Sequence, residues 1–487
     1  MRALGWAPDE RTLQRNSHWL GMYGFGMKRT NALLAVAALL VLAISACGSR
    51  HGKSRNDSAW ERGFYWGTAT AGYQVEGDAP DSNWRRYVDR TAGKPLPADN
   101  TGPLAHGPID PYKQADDFRH RYREDIANAH ALGVNTFRFG VEWARVMPEP
   151  GKWDEKELAY YDSIVATVRE NGMTPMITLM HWVYPGWIAD RGGFMNNVAA
   201  FEDFAKAITK RYAGQGVLWV SVNEPLAFAS MEMQTGAIKP EEFDTFFDRV
   251  AEAHRAVYRA AHAADPKAKV TTNEAYAAPD VLAQFASYGI KVAEGSILDR
   301  VKDSIDYIGF DYYTGTAADN PASAQDAAAQ WSIKLQPEDI YYVSRYYAQR
   351  YPGLPIYIVE NGMVTDNGMP RPDGVTRSQY LNDTIFWVQR AKADGIPIIG
   401  YNYWSLVDNY EWGSYRPRYG LYTVDALGDP TLTRVPTDAV QTYTQIIRDG
   451  GTTPGYRPAM PAAKCSSTVG KDSCAPLDPN GPAVPLR

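Results

Sequence analysis

The stretch Ile356-Tyr357-Ile358-Val359-Glu360-Asn361-Gly362 is an apolar, largely β-branched run that ends abruptly in a carboxylate, an amide and a glycine. Such a run is typical of a buried parallel strand, here with Glu360 at its carboxyl end. A second stretch, Val217-Leu218-Trp219-Val220-Ser221-Val222-Asn223-Glu224-Pro225, has the same form, and its proline stops the strand directly behind Glu224. The sequence therefore predicts two buried strands that each deliver one glutamate.

The two glutamates together indicate a catalytic site, whereas either glutamate alone does not. A single glutamate at a strand end is usually a solvated terminus. In a barrel of parallel strands, however, all carboxyl ends meet at one face, so two residues distant in sequence can face each other across one pocket. Hydrolysis of a glycosidic bond requires such a pair, in which one carboxyl protonates the leaving oxygen and the other attacks or activates water. Glu224 and Glu360 are accordingly the candidate catalytic residues.

Strand-like and helix-like segments alternate along most of the chain. Eight strands are predicted over Phe64–Thr70, Thr136–Trp143, Thr174–Trp182, Val217–Glu224, Ala268–Tyr276, Ile305–Tyr313, Pro355–Glu360 and Pro397–Trp404. Seven helices are predicted over Asp116–Leu132, Glu155–Glu170, Val198–Tyr212, Phe243–Ala264, Pro337–Arg350, Thr376–Asp394 and Thr437–Arg448. This alternation predicts an α/β fold with a single (β/α)8 TIM barrel. We expect the barrel domain over 59–449 and an irregular tail over 450–487, where Pro, Gly and Ser accumulate.

Composition narrows the class of protein. Apolar residues make up 45% of the 487 residues and charged residues 22%, as in an ordinary globular protein. The net charge of −6 offers no basic field for a phosphate backbone, so no nucleic-acid partner is expected. The 31 Tyr and 14 Trp suit a pocket that stacks rings on sugar faces, although most of them are expected in the core. No His or Cys cluster has ligand spacing, so neither a metal nor another cofactor is predicted.

The N-terminal region, residues 1–46, has the features of an export signal. Met27-Lys28-Arg29-Thr30 is positively charged, and an apolar run follows up to Ala46 that is too short for a membrane-spanning helix of about 20 residues. Ile44-Ser45-Ala46-Cys47 resembles a bacterial lipobox, which implies cleavage before Cys47 and attachment of lipid to its thiol. The alternative is an ordinary secretory signal with a chance cysteine. An upstream extension of the reading frame is one interpretation of residues 1–26.

The expected location of the protein follows from this signal. Residues 47–58 are polar and without periodicity, so they are predicted to form the lipid attachment site and a flexible tether. We therefore expect an exported lipoprotein, anchored in the membrane of the cell envelope and facing away from the cytoplasm. Two cysteines near each other in an exported chain, Cys465 and Cys474, suggest one small disulfide loop.

The strand ends carry motifs that resemble those of glycoside hydrolase family 1, the β-glucosidase-like retaining enzymes. The motifs lie in family order over roughly residues 60–448 and are Phe64-Tyr65-Trp66-Gly67-Thr68-Ala69-Thr70, Gln74-Val75-Glu76-Gly77, Thr178-Leu179-Met180-His181-Trp182, Asn223-Glu224-Pro225, Tyr307-Ile308-Gly309, Tyr312-Tyr313-Thr314, Ile358-Val359-Glu360-Asn361-Gly362, Tyr403-Trp404-Ser405-Leu406 and Asp408-Asn409-Tyr410-Glu411-Trp412.

This resemblance implies a role for each matching residue. Glu224 would be the acid/base, Glu360 the nucleophile, and Asn223 would bind the sugar 2-hydroxyl. Arg138 and Tyr313 would hold Glu360 ionised and oriented. The remaining hydroxyls and the sugar face would be bound by Gln74, His181, Trp182, Glu411 and Trp412, with Trp404 as the stacking platform.

The sequence departs from the family pattern at several places. Asp311 stands where the family usually has Asn, and Val183 where Asp is common, so either could change the sugar preference. Segments 183–197, 230–245 and 315–337 are shorter than in most members, which suggests an open leaving-group side. Asn273-Glu274 also ends a strand but lacks the proline, so Glu274 is a weaker candidate for the acid. Two further glutamates, Glu76 and Glu142, are predicted to be structural.

These observations predict a retaining, exo-acting β-glycosidase for a small glycoside, with β-glucosides as the leading substrates. Glu411 would stand where the sugar 6-position binds, which disfavours a 6-phosphate. One alternative is an anchored transglycosylase that passes the glycosyl unit to an alcohol or lipid acceptor. Another is a non-catalytic sugar-binding lipoprotein, against which the presence of both Glu224 and Glu360 argues. The preferred sugar, the linkage and the aglycone stay open.

Overall fold

The computed structural model describes residues 63–94, 109–276, 285–286, 289–292, 296–313, 331–460 and 481–487. All of these residues belong to one compact unit, Asn56–Arg487. The predicted signal region, Cys47, the tether and the pair Cys465 and Cys474 lie outside the described residues. None of the helices in the described ranges is both long and apolar enough to cross a membrane.

Eight parallel strands close into one barrel, as the alternation of strands and helices predicts. Each strand pairs with its neighbours in chain order, and the last pairs with the first. The strands are β1 (Tyr65–Ala69), β2 (Thr136–Gly140), β3 (Thr174–Thr178), β4 (Leu218–Asn223), β5 (Lys269–Ala275), β6 (Ile308–Asp311), β7 (Ile356–Asn361) and β8 (Ile398–Trp404). The predicted (β/α)8 TIM barrel is thus confirmed.

Helices surround the barrel and connect its strands. The longer ones in the described ranges are α1 (Asn83–Thr91), α2 (Phe118–Ala131), α3 (Glu155–Glu170), α4 (Val198–Arg211), α5 (Pro225–Thr235), α6 (Phe243–Ala264), α7 (Asp339–Arg350), α8 (Arg377–Ala393) and α9 (Asp438–Asp449). Shorter helical turns span Gly72–Val75, Trp143–Val146, Gly186–Ala189, Phe194–Asn196, Pro240–Glu242, Ser296–Val301 and Lys302–Ser304. All seven predicted helices form. The sequence analysis did not predict α1 or α5, which are short or lack a clear apolar stripe.

Local signals explain where individual helices begin. Asp154 precedes α3, and its carboxylate accepts hydrogen bonds from the backbone N–H groups of Lys156 and Glu157. Thr376 precedes α8 and forms a capping box with Gln379. These caps satisfy N–H groups that have no partner inside the helix, so the two helices start where the sequence analysis expects them.

The core has two layers. Aromatic and aliphatic side chains from alternate strand positions fill the inside of the barrel, so the barrel is a packed core and not a pore. This inner cluster consists of Tyr65, Met176, Leu218, Val220, Tyr307, Tyr357 and Val359. A larger apolar cluster joins the outer faces of the strands to the helices. The packed interior leaves the carboxyl ends of the strands as the place where a pocket can form.

The register of β7 is irregular just before its glutamate. Val359 belongs to the inner cluster, so strict alternation would turn the next residue, Glu360, towards the helices. Phe310 of β6 pairs with Ile358, but the next residue Asp311 pairs with Glu360, so β7 carries one extra residue. A bulge of this kind changes the direction of the side chains that follow it. It allows Glu360 to enter the mouth of the barrel.

β4 shows the same kind of irregularity. Val220 belongs to the inner cluster, whereas Ser221 hydrogen-bonds His254 on α6 at 2.7 Å and Val222 belongs to the outer core. The register of β4 with β5 shifts between Val220 and Asn223. Two successive side chains therefore point outward, and Asn223 turns into the barrel mouth.

The last residues of the chain pack beside α8 and α9. The backbone carbonyls of Pro482 and Val484 accept hydrogen bonds from Arg390 at 2.5 Å and Gln389 at 3.0 Å. Leu486 is buried, and its N–H donates to the carbonyl of Gly450 at 2.6 Å. The described parts of the predicted tail, 450–460 and 481–487, contain neither helix nor strand.

Candidate active site

Glu224 lies at the junction between β4 and α5. Pro225 occupies the first turn of α5, where a missing N–H costs nothing. Glu224 itself has a φ of 37°, and its N–H donates to the carbonyl of Asn273 at 3.0 Å. Non-glycine residues seldom adopt positive φ, and such strained positions concentrate at functional sites. The sharp turn places the buried Glu224 carboxyl in the barrel mouth.

Glu360 is held by two donors, one for each carboxylate oxygen. Arg138, fully buried on β2, forms an ion pair with Oε1, and the Tyr313 hydroxyl donates to Oε2 at 2.6 Å. Arg138 also donates from Nη2 to Asn223 Oδ1 at 2.5 Å and from Nε to Thr178 Oγ1 at 3.0 Å. Because every nitrogen of the guanidinium group has a partner, the orientation of Glu360 is fixed. The structure thus brings together the residues that the sequence analysis assigned to the nucleophile and its support.

Three carboxyl groups meet in this pocket. One oxygen each of Glu224, Asp311 and Glu360 lies within 4.8 Å of the others. Burial, and then the charge of Glu360, raises the pKa of Glu224 to about 8. Burial also raises the pKa of Asp311 well above its usual range, and both neighbouring glutamates add to this effect. Glu224 therefore holds a proton at neutral pH, whereas Glu360 takes part in an ion pair.

Amide groups connect Arg138, the partner of Glu360, to Asp311. Asn223 Oδ1 accepts from Arg138 and from Asn273 Nδ2, the latter at 2.7 Å. Its Nδ2 lies 3.2 Å from Nε2 of His181. Asn273 Nδ2 also donates to Asp311. The predicted sugar ligands Asn223 and His181 thus belong to one buried network with the catalytic candidates.

His181 is electrically neutral in this network. Burial, and then the positive charge of Arg138, lowers its pKa well below the usual value. If Asn223 donates to Nε2, the other ring nitrogen, Nδ1, carries the proton. Nδ1 is buried and has no hydrogen-bond partner among the described residues.

A second polar group near Glu360 contains Gln74 and Glu411. Gln74 Nε2 donates to Glu411 Oε2 at 3.1 Å and to Asn409 Oδ1 at 3.0 Å. Gln74 Oε1 is buried and has no partner in the described part of the chain, so it can accept a bond from a ligand hydroxyl. Burial, and then Glu360, raises the pKa of Glu411 to about 8, so this carboxyl can donate as well as accept at neutral pH.

Aromatic rings form one wall of the pocket. His181 stacks on Trp412, with 5.7 Å between ring centroids, and on Trp404 at 6.2 Å. Trp182 packs on Trp412 at 4.5 Å. The indole N–H of Trp182 donates to the carbonyl of Asn223 at 2.8 Å, so it is already used within the protein. Trp182 thus packs in this wall, and the hydroxyl-binding role that the resemblance implied for it stays a prediction.

A family model described as glycosyl hydrolase family 1 matches residues 56–285 and 283–452. The chain belongs to glycosyl hydrolase family 1. This confirms the resemblance in the motifs and, at the level of the family, the prediction of a β-glucosidase-like glycoside hydrolase.

Known family 1 proteins are similar over most of the chain. Beta-glucosidase A of Thermotoga maritima is 28% identical over 459 residues, which cover 81% of this chain and 99% of the relative. A bifunctional beta-D-glucosidase/beta-D-fucosidase of Bifidobacterium breve is 28% identical over 80% of this chain and 98% of its own length. A solved structure of beta-glucosidase from Thermotoga maritima in complex with deoxynojirimycin superposes with a TM-score of 0.66 and 24% identity. It covers 80% of this chain and 99% of the other, and it supports the same fold.

Other buried glutamates of this family 1 barrel have neighbours other than Glu224 and Glu360. Glu76 forms a buried ion pair with Arg145 at 2.9 Å and accepts from the Tyr161 hydroxyl at 2.9 Å. Glu142 lies beside Glu76, and burial together with that neighbour raises its pKa to about 8. Glu274 follows Asn273 on β5, and the alternation of side chains directs it to the other face of the strand. These placements agree with the structural roles predicted for Glu76 and Glu142.

Within the described ranges, the trio of Glu224, Asp311 and Glu360 is the single group of side chains with the spacing of metal ligands. One member of the trio already has a cationic partner, because Arg138 forms an ion pair with Glu360.

Sequence reasoning underrated two amides of the site. Asn273 appeared only as part of a weaker Asn-Glu pair, and Asn409 only within a motif. In the structure Asn273 joins Asn223 to Asp311, and Asn409 accepts from Gln74. The position of Asn273 at the end of β5 was the available signal, since every strand end of a barrel borders the same pocket.

Proposed function

We propose that this family 1 protein is a retaining, exo-acting β-glycosidase that hydrolyses unphosphorylated β-glycosides, with β-glucosides as the leading substrates. The observation that carries the proposal is the spacing of Glu224 and Glu360, whose carboxylate oxygens approach within 4.8 Å. Retaining enzymes have carboxyl groups about 5 to 5.5 Å apart, whereas inverting enzymes need about 6.5 to 9.5 Å to admit a water molecule.

The first chemical step uses the different protonation of the two glutamates. Glu360, oriented by Arg138 and Tyr313, attacks the anomeric carbon from one face. Glu224 gives its proton to the glycosidic oxygen as the bond to the leaving group breaks. The products of this step are a free alcohol and a glycosyl ester on Glu360, with Glu224 left as the carboxylate.

The second step reverses these roles. A water molecule enters the place of the leaving group, and Glu224 removes one of its protons as the oxygen attacks the anomeric carbon. The bond to Glu360 breaks, and the sugar is released with its original configuration. Glu224 regains its proton and Glu360 its ion pair with Arg138, so the starting state is restored.

The polar and aromatic residues around the glutamates support an exo-acting site. Gln74, Trp404 and Trp412 are each less than a tenth exposed, as in a pocket that closes around one sugar ring. The relative and the solved structure named as beta-glucosidase from Thermotoga maritima each align over at least 80% of this chain and 99% of their own length. This similarity supports β-glucosides as substrates.

The pairing of nearby cations supports an unphosphorylated substrate. Arg416 forms an ion pair with Asp366 at 2.6 Å, and Arg418 donates to Asn367 at 2.6 Å and lies 3.5 Å from Asp425. Both arginines follow Glu411 in the sequence and would be the nearest candidates to bind a 6-phosphate. Because both arginines already have acidic or amide partners, binding of a 6-phosphate dianion would require them to leave those partners.

The configuration of the first product tests the proposal. NMR during hydrolysis of an aryl β-glucoside should detect the β-anomer of the sugar before it equilibrates in solution. First release of the α-anomer would contradict a retaining mechanism. Loss of retention with intact hydrolysis would leave the family assignment in place and overturn only the role of Glu360.

We further propose that the protein is exported and held at the envelope membrane by lipid on Cys47. The charged segment, the apolar run and the lipobox-like Ile44-Ser45-Ala46-Cys47 support this proposal. Cys47→Ser should leave the protein unprocessed or release it from membranes, whereas the control Cys465→Ser should stay in the membrane fraction. Mass spectrometry that finds an unmodified N-terminus at another position would reject the proposal.

A further inference from the structure

Asp311 is the third carboxyl of the pocket, and the two-glutamate mechanism does not use it. It is the last residue of β6 and pairs in register with Glu360 of β7. Its side chain is buried, with an exposed fraction of 1% for the residue. One oxygen, Oδ2, accepts a hydrogen bond from Nδ2 of Asn273. This bond occupies Oδ2, so Oδ1 is the carboxyl oxygen that is left for another partner.

Oδ1 of Asp311 is buried and receives no N–H or O–H hydrogen bond from the described residues. Oxygen atoms of Glu224 and Glu360 lie within 4.8 Å of the Asp311 carboxyl. The donors of this region have other acceptors, since Arg138 binds Glu360, Asn223 and Thr178. An ionised Asp311 would therefore hold an uncompensated negative oxygen against two other carboxyl groups, which burial makes unfavourable.

A proton on Oδ1 removes this conflict and supplies the donor that the pocket lacks. We propose that Asp311 is a positioning residue that keeps a proton on Oδ1 throughout the reaction and donates it in a hydrogen bond to Glu224. The inference rests on the proposed role of Glu224 as the acid/base. When Glu224 gives its proton to the leaving group, the new carboxylate accepts the hydrogen bond of Asp311, and no net proton leaves Asp311.

The charges that face Asp311 agree with this assignment. Burial, Glu360 and Glu224 raise its pKa, and Arg138 alone among the major neighbours lowers it. The hydrogen bond from Asp311 in turn lowers the pKa of Glu224. Tyr313 also faces Asp311, with a pKa raised well above its usual value by burial and then by Glu360, so it stays neutral. These neighbours therefore favour the neutral form of Asp311.

Two substitutions distinguish a protonated Asp311 from an ionised one. Asn is neutral and keeps a donor, so Asp311→Asn should move the alkaline limb of kcat/KM by less than about half a pH unit. Leu is neutral without a donor, so Asp311→Leu should destabilise the Glu224 carboxylate and move that limb upward by about one to two pH units. If Asp311 were ionised, both substitutions would remove a negative charge and move the limb downward.

The experiment measures kcat/KM against pH for wild type and both variants, with a β-glucoside whose alcohol leaving group requires protonation. An upward shift in Asp311→Leu with a small shift in Asp311→Asn supports the proposal. A downward shift in both variants, or the same limb in all three proteins, overturns it.

An infrared measurement tests the same proton without any need for activity. The band of a neutral carboxyl should be present in Glu224→Gln and should lose intensity in Glu224→Gln/Asp311→Asn at pH 7. An unchanged band overturns the proposal even if Asp311→Leu fails to fold. If wild type hydrolysed no β-glycoside, the proposed function would fail, and this measurement would still decide the state of Asp311.

Discussion

Removal of a single hydroxyl group should reveal how much the orientation of Glu360 contributes to catalysis. The Tyr313 hydroxyl donates to Oε2 of Glu360 at 2.6 Å, a distance typical of a hydrogen bond from a hydroxyl to a carboxylate. Tyr313→Phe removes this donor and keeps the ring, which packs edge-on against Tyr419 at 5.5 Å between centroids. The substitution therefore changes the nucleophile more than the packing.

The size of the effect follows from the kind of bond that is lost. A hydrogen bond to a charged group contributes about 1.5 to 3 kcal/mol. Part of this stabilisation is already lost when Glu360 becomes an ester, but the correct orientation is needed for attack. Since about 1.4 kcal/mol corresponds to a tenfold change in rate, Tyr313→Phe should lower kcat/KM by about 10- to 100-fold.

The neighbouring tyrosine offers a matched control. Tyr312 is fully buried, and its hydroxyl donates to the backbone carbonyl of Gln336 instead of a catalytic group. Tyr312→Phe should lower the free energy of unfolding by about 0.5 to 1.5 kcal/mol and leave kcat/KM within about threefold of wild type. The assay is hydrolysis of an aryl β-glucoside at pH 6, with denaturant unfolding of each variant in parallel. Equal losses of activity in both variants, or less than a threefold loss in Tyr313→Phe, would refute the reasoning.

Four further predictions concern the separate roles of the residues in the pocket. Glu360→Ala should reduce kcat by more than about a thousandfold on every substrate, because the nucleophile is lost. Glu224→Ala should lose about 10²- to 10⁴-fold with an alcohol leaving group but much less with an activated aryl group, and azide should restore turnover with a β-glycosyl azide as product; the same behaviour in Glu274→Ala instead would move the acid to β5. Because Glu224 must hold its proton in the first step and its pKa is raised to about 8, kcat/KM should fall as the pH rises through about 8; this limb should be absent from Glu224→Ala with the activated substrate. Finally, wild type should prefer a β-glucoside to its 6-phosphate by at least about tenfold, and Glu411→Ser should narrow that ratio; a preference of wild type for the phosphate would contradict the placement of Glu411 as a hydroxyl ligand.

Much of the fold could be predicted from local patterns. Buried β-branched runs alternate with amphipathic segments, and these two periods identify the strands and helices of a barrel without knowledge of their packing. The helices over Glu155–Glu170 and Phe243–Ala264 have the bounds that the sequence predicts. The ends of β2 and β3 were predicted too late, since the chain leaves the sheet at Gly140 and Thr178. Apolar residues continue beyond these points because they belong to the larger apolar cluster, in which Trp143 packs on Phe201 and Phe204 of α4.

The sequence by itself also identified the residues that meet in the pocket, because a parallel barrel brings all strand ends to one face. Alternation could not determine which way each side chain points. Strict alternation after Val359 would have turned Glu360 away from the pocket, and the bulge between β6 and β7 reverses this. A register shift depends on the pairing of strands from distant parts of the chain, which no local pattern encodes.

Only the tertiary structure decided which polar groups are already used and which are left for a substrate. It commits the indole N–H of Trp182 to the backbone of Asn223 and gives Asn273 a place between Asn223 and Asp311. It also places Asp311 beside Glu224 with an oxygen that lacks a donor among the described residues. The physical reason is that protonation and hydrogen bonding depend on distances of a few ångströms between residues far apart in sequence. Residue types alone determine the inventory of donors and acceptors, whereas packing determines their partners and thereby their charge.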